Sequence, residues 1–494
     1  MKKIATLLLI ILLLLQAGCA ASDPLPEPTP GSSIRSGSRA GFSWKLKGDT
    51  LVVSGEGTLD NLFETEWGRL VYDIEHLELD SRITAIGDNT FSMLFNLKGE
   101  LILPEGLVSV GENAFYSASS QLEIKEFPPS LKHIGSRVFR GCLLPETLVI
   151  PETWKFIGDC AFENCSQMKT LVLNNRTEYA SRAFQGCLSL EEVQFPDGIQ
   201  KLSHAMFCEC VSLKTVNLPD GITELPSAFF LDCKNLEEII LPDSITSIGA
   251  SAFCGCEKLK SVTLPEQLEI MEMEIFKNCT GLKDVFIPAS VHTIDERPFP
   301  GCTALTSITV SADNAHFSND EQGALYNKDK TRLIQPAPGN TGTFRIPETV
   351  SQVDLWTFQN TLYSEVIVPN SVQAINWQAF IECPNLEKVI LPDSVTEIQS
   401  EAFRDCPKLK TVRLPANLSV LEASTFRRCT SLKEIHLPAS LTKIRTNVFH
   451  DCSSLEDIYF EGTREQWDAI HFRGKHEYLE DLEIHCNVPY PPYE

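Results

Sequence analysis

The chain is expected to fold as a solenoid of stacked coils, an α/β-type repeat architecture with short parallel strands on one face and irregular or short helical returns. Three observations predict it. Phenylalanine recurs every 23 residues from Phe184 through Phe207, Phe230, Phe253 and Phe276 to Phe299, and self-similarity at about 20–29 residues marks units that bury apolar surface only against their neighbours. Cysteine keeps the same beat three residues later, at Cys187, Cys210, Cys233, Cys256, Cys279 and Cys302. Proline closes the apolar run of each full copy, as at Pro242, Pro265, Pro288 and Pro392.

The copy from Cys233 to Cys256 shows the whole unit: Leu236, Ile239, Leu241, Pro242, Ile245, Ile248 and Phe253. Its first part alternates apolar and polar residues and reads as a short strand. Proline has no N–H to give to a ladder and stops the pairing. The stretch to Phe is too short for a regular amphipathic helix and reads as a turn with an irregular or single-turn return. With weaker copies at Phe91, Phe115, Phe139 and Phe162, the Phe positions mark about fifteen units. A lone unit buries too little to fold, so stability is cooperative along the array and its ends need caps.

The order Leu-x2-Val/Ile-x-Leu/Ile/Phe-Pro, then Phe, then Cys resembles the BspA-type leucine-rich repeat of bacterial surface proteins. That resemblance implies a right-handed coil with its strands on the concave face and a β-rich N-terminal cap. Gly41–Trp44, Leu51–Gly57 and Trp67 are similar to that cap, over residues 41–80. Residues 81–311 and 347–459 hold the two repeat blocks, 312–346 a β-hairpin island around Gly323–Ile334, and 460–494 a C-terminal cap and tail, with Tyr459–Trp467 similar to the C-terminal end of family members. The pattern departs in two places: Leu94 and Ala118 fill the Cys position, and the unit at Asn174 is one residue short and lacks Pro.

Residues 1–19 read as a secretion signal: Lys2 and Lys3, the apolar run Ile4–Leu15, then Gln16-Ala17-Gly18-Cys19. Ala17-Gly18-Cys19 resembles a bacterial lipobox, which implies lipidation at Cys19, although Gln16 stands where Leu is usual. Cleavage after Ala20 or Ala21 and secretion is the alternative. Residues 20–40, rich in Pro, Ser and Gly, read as a disordered tether.

The net charge of −24, with no basic stripe, argues against nucleic acid, whose binding rests on Lys and Arg neutralising phosphate. Twelve of the sixteen cysteines beyond Cys19 lie on the ladder, from Cys142 to Cys452. Equivalent side chains in adjacent coils point in parallel about 4.7–4.9 Å apart, whereas a disulfide needs Cβ atoms near 3.8 Å that face each other. They read as buried thiols. Cys160, Cys208, Cys254 and Cys486 lie off the ladder, and the pairs Cys208/Cys210 and Cys254/Cys256 point their thiols apart; no metal site and no cofactor are expected. Asn319–Gly323 offers at most a calcium-like turn, with a solvated turn preferred. His133, His204, His292, His316, His436 and His450 sit at unrelated positions, and no nucleophile motif accompanies them. The chain is read as non-enzymatic, with a glycan-processing enzyme as the remote rival.

Function is expected on the strand side chains that point outward, where Ile240, Thr263, Phe286, Ile390, Arg413, His436 and Tyr459 form one row. Trp356 and Trp377, just after the island, form a second candidate, although covering the island's base is the preferred reading for them. The resemblance implies adhesion or host-surface interaction. The expectation is a lipid-anchored protein on the extracytoplasmic surface whose partners are a protein ligand and, through Cys19, the membrane. A passive envelope spacer is the alternative.

Overall fold

The computed structural model describes residues 36–60, 70–118, 121–474, 479 and 482–489. Cys19, the signal, most of the tether and Trp67 lie outside them.

A full coil has two strands and a turn. In the copy before Cys233, Thr215–Asn217 is the first strand and Glu224–Leu225 the second, and the turn runs through Phe230. Both pair in parallel with the next coil 23 residues on, Val216 opposite Ile239 and Leu225 opposite Ile248. The returns therefore carry a two-residue second strand where an irregular or helical segment was expected. Among the described residues the only helix is Arg464–Asp468, in the C-terminal cap. The Ile/Leu/Met position supplies the buried half of that strand, and the run around it is too short to nucleate a helix.

The turn hydrogen-bonds to the next coil as well. Ala228, Phe230 and Asp232 donate their N–H groups to the carbonyls of Ala250, Ala252 and Cys254, at 2.8, 2.9 and 2.7 Å. This needs left-handed backbone twice per coil, two residues before Phe and directly before Cys, as at Ala228 (φ 56°) and Asp232 (φ 57°). The second position is Gly, Asn or Asp in most copies, among them Gly141, Asn164, Gly186, Gly255 and Asn278, the residue types that reach this region at least cost.

Inside, the Phe rings form one stack. From Phe91 to Phe299 successive centroids lie between 5.3 and 6.3 Å apart with planes within 21°. Phe358, Phe380, Phe403, Phe426 and Phe449 repeat the arrangement. All sixteen described cysteines are free. The ladder thiols do more than fill space: each from Cys165 on donates to the carbonyl of the Phe one coil back, as Cys256 does to Phe230 at 3.3 Å and Cys302 to Phe276 at 2.9 Å. Burial pushes the thiols of Cys142 and Cys187 up to about 12.

Where the pattern departs, polar side chains replace the missing part. Asn174 stands at the Pro position of the short unit and is buried; its amide donates to the carbonyls of Ile150 and Pro151, and its oxygen accepts from the N–H groups of Arg176 and Thr177. Buried Asn314 does the same at the entrance to the island, bonding Pro288, Val291, His316 and Phe317.

The island's three antiparallel strands, Phe317–Asn319, Leu325–Asn327 and Leu333–Gln335, stand between two separate apolar cores. Leu325 joins the first core; Ala324 and Tyr326 join the second. Buried Gln335 accepts the N–H of Phe299 at 3.0 Å, the donor that another coil would otherwise satisfy. Thr343–Arg345, read above as island, already pairs with Glu365–Ile367 and opens the second block's sheet.

At the N-terminus the hairpin is larger than expected. Ser36–Arg39, placed above in the tether, pairs antiparallel with Phe42–Lys47 across a turn at Ala40 and Gly41. Gly37 makes this fit possible, because a Cβ there would lie 2.8 Å from the Trp44 indole nitrogen. At the other end a last strand, Glu483–Cys486, pairs in parallel with Asp457–Phe460. The helix between them starts with a capping box, Thr463 with Gln466, and packs Trp467 between Phe460 and Phe472.

Candidate interaction face

The first strands alternate strictly, apolar side chain inward and its neighbours outward: Val216, Ile239 and Val285 are buried while Asn217, Ile240 and Phe286 are exposed. The outward residues form a row because pairing is in register, Asn217 opposite Ile240 and Phe286 opposite Thr309. The second block has its own in-register row at the same strand position, through Ile367, Ile390, Arg413, His436 and Tyr459 to His485. Ile240 is 71% exposed and Phe286 49%. Thr263, between them, is exposed too, but its coil forms no first strand, so the first-strand ladder lapses there while the side-chain alternation persists.

Towards the C-terminal end the face becomes polar and aromatic. The Arg413 guanidinium forks onto the Asp393 carboxylate at 2.9 and 3.2 Å and holds it below the usual carboxylate range. The ring of His436 stacks on Tyr459 at 4.9 Å, and Tyr459 stacks on His485 at 4.8 Å, both within 15° of parallel. Beside these rings runs a second in-register column, Glu434, Asp457 and Glu483. Desolvation lowers the pKa of His436. The Tyr459 phenol is raised by desolvation and then by the carboxylates of Asp457, Glu434 and Glu483.

The two tryptophans sit elsewhere, on the turn side after the island. Trp356 is half-buried and lies under the Arg297 guanidinium, 4.1 Å from ring centroid to carbon. Its indole N–H donates to Gln378 at 2.5 Å, and Trp377 meets it edge-on at 5.1 Å. Arg297 in turn holds Glu274 of the preceding coil at 2.5 Å and Gln359 of the second block. Trp356 is thus a clamp between the blocks, and Trp377 is the more exposed of the pair. The turn at Asn319–Gly323 is also structural: Asp320 accepts from the N–H groups of Gln322 and Ala324 and from the Tyr326 hydroxyl, so its oxygens are already engaged.

The BspA type leucine rich repeat region matches this sequence in six copies, over residues 71–180, 132–248, 223–331 and 341–478. The chain belongs to the BspA-type leucine-rich repeat family. Among solved structures, the BspA-type chain is similar to a leucine-rich repeat protein from Bacteroides ovatus, at 22% identity over 91% of this chain and 99% of that one, TM-score 0.44. It is also similar to a leucine-rich cell surface protein from Faecalibacterium prausnitzii, at 23% identity, 92% and 99% coverage, TM-score 0.45. The pneumococcal vaccine antigen PcpA is a third, at 17% identity, 92% and 99% coverage, TM-score 0.45. No curated protein matches the BspA-type chain.

Sequence reasoning missed His485 and its neighbours Asp457 and Glu483. The strand that carries His485 lies 26 residues after its partner and lacks the Phe and Cys beat, so periodicity does not find it. The signal was the alternation Glu483-Ile484-His485-Cys486.

Proposed function

We propose that this protein is a non-enzymatic, lipid-anchored surface protein that binds a protein ligand through its strand face. The observation that carries the reading is the outward exposure of Ile240 and Phe286 on the first block's strands, at the strand position that Arg413, His436 and Tyr459 hold in the second block. Large apolar side chains held outward on a paired backbone lose little freedom when covered, and burying each yields about 1.5–3 kcal/mol. The polar end of the row supplies direction and specificity. Anchoring rests on the lipobox-like Cys19; among the described residues no helix is long and apolar enough to cross a membrane.

Replacing Cys19 with Ala is expected to move the protein from the membrane fraction to the soluble or culture fraction. Fractionation unchanged from the parent would refute the anchor and leave the strand-face proposal to its own test.

A further inference from the structure

We infer that Asp457, Glu483 and His485 form a binding site for one divalent transition-metal ion of the zinc type at the C-terminal end of the strand face. One ligand atom from each of the three lies within 4.8 Å of the other two. The His485 Nε2 is 2.8 Å from the Asp457 carboxylate and 4.0 Å from that of Glu483. Zinc–nitrogen and zinc–oxygen bonds of about 2.0–2.2 Å place neighbouring donors of a tetrahedral site about 3.4 Å apart, between these two separations. A small rotation of the Glu483 side chain, which is 77% exposed, brings all three into range.

The fold preorganises the set. Asp457 and Glu483 are partners across paired strands, and Glu483 and His485, two apart on one strand, share a face. The Tyr459 ring stacked on His485 fixes the imidazole plane. In the structure His485 and Asp457 share a hydrogen bond; a metal ion takes the place of that proton. The imidazole separates this set from an ordinary acidic patch, because nitrogen ligands favour zinc over the oxygen-seeking calcium ion. Three protein ligands leave a fourth position open to water or to a donor from a partner on the same face. Bound metal would also tie the last strand to the coil before it, since both strands contribute ligands. The site stands whether or not the strand face binds a protein.

The test is titration of the full-length folded protein with Zn2+ by calorimetry, in parallel with His485→Ala and the nearly isosteric Glu483→Gln. Expected are one saturable site absent from His485→Ala, affinity at least about tenfold weaker in Glu483→Gln, no competition from Ca2+, and a Zn2+-dependent rise in melting temperature that is smaller in Glu483→Gln and absent from His485→Ala. Far-UV circular dichroism of Glu483→Gln matching the parent excludes misfolding as the cause. Absence of saturable binding, or binding that both variants retain in full, overturns the site; retention would place the metal at cysteines or at other carboxylates.

Discussion

Replacing Phe253 with Ala is expected to remove about 3–5 kcal/mol of stability, the cost of emptying a fully packed aromatic site. Phe253 is completely buried and stacks on Phe230 at 5.8 Å and on Phe276 at 5.3 Å, so its loss opens the core in three coils at once. The carbonyl of Phe253 also accepts the Cys279 thiol at 3.1 Å, and this contact stays in register only while the turn keeps its shape. Because a repeat array is stabilised by nearest-neighbour interfaces, the damage should spread along the first block. The core beyond the island is separate and should be affected less. Chemical denaturation followed by circular dichroism checks this; a loss below about 1 kcal/mol would mean that the stack is not what holds the coils together.

The second large effect is alkaline. The thiols of Cys142, Cys187 and Cys452 are raised by burial from 9.0 to about 12. The folded chain therefore keeps protons that the unfolded chain releases above pH 9. Stability from these groups is fully present below that pH and falls as pH rises towards 12, by about 1.4 kcal/mol per pH unit for each such thiol. Most other ladder thiols shift in the same direction, so the slopes add. The melting temperature should be level from about pH 7 to 8.5 and drop steeply above 9. A triple variant with Ala at Cys142, Cys187 and Cys452 should show a shallower drop. A melting temperature that stays level to about pH 10.5 would contradict the buried-thiol ladder.

The repeat was legible because its period is local: Phe, Cys and Pro each recur within one coil, and each has one physical task. Elements that break the period were not. Ser36–Arg39 looks like tether because its Gly and Ser residues carry no strand signal, yet Gly37 is what allows the strand to lie against Trp44. Asn174, Asn314 and Gln335 complete interrupted coils through side-chain hydrogen bonds, and spacing alone does not show which carbonyl or N–H lacks a partner. The Gly, Asn and Asp residues that recur before Cys went unread, because their use, a hydrogen-bonded column of left-handed turns, is a property of stacked coils. Of the candidate face, the outward row is a side-chain alternation that the sequence alone displays. The lapse of the ladder at Thr263 and the continuation to His485 depend on pairing between coils.

The claim that the Phe and Cys ladders are committed to the core while the strand face is free for recognition is tested most directly with Ile240→Asp/Phe286→Asp. Both side chains are exposed, so the variant should melt within about 1 °C of the parent, as surface substitutions usually do. Immobilised parent and variant would be compared for retention of purified host-matrix and envelope proteins. If the strand face is free for recognition, the parent retains a protein that the variant binds at least about tenfold more weakly. Equal retention by both, or no protein retained by the parent, would contradict it.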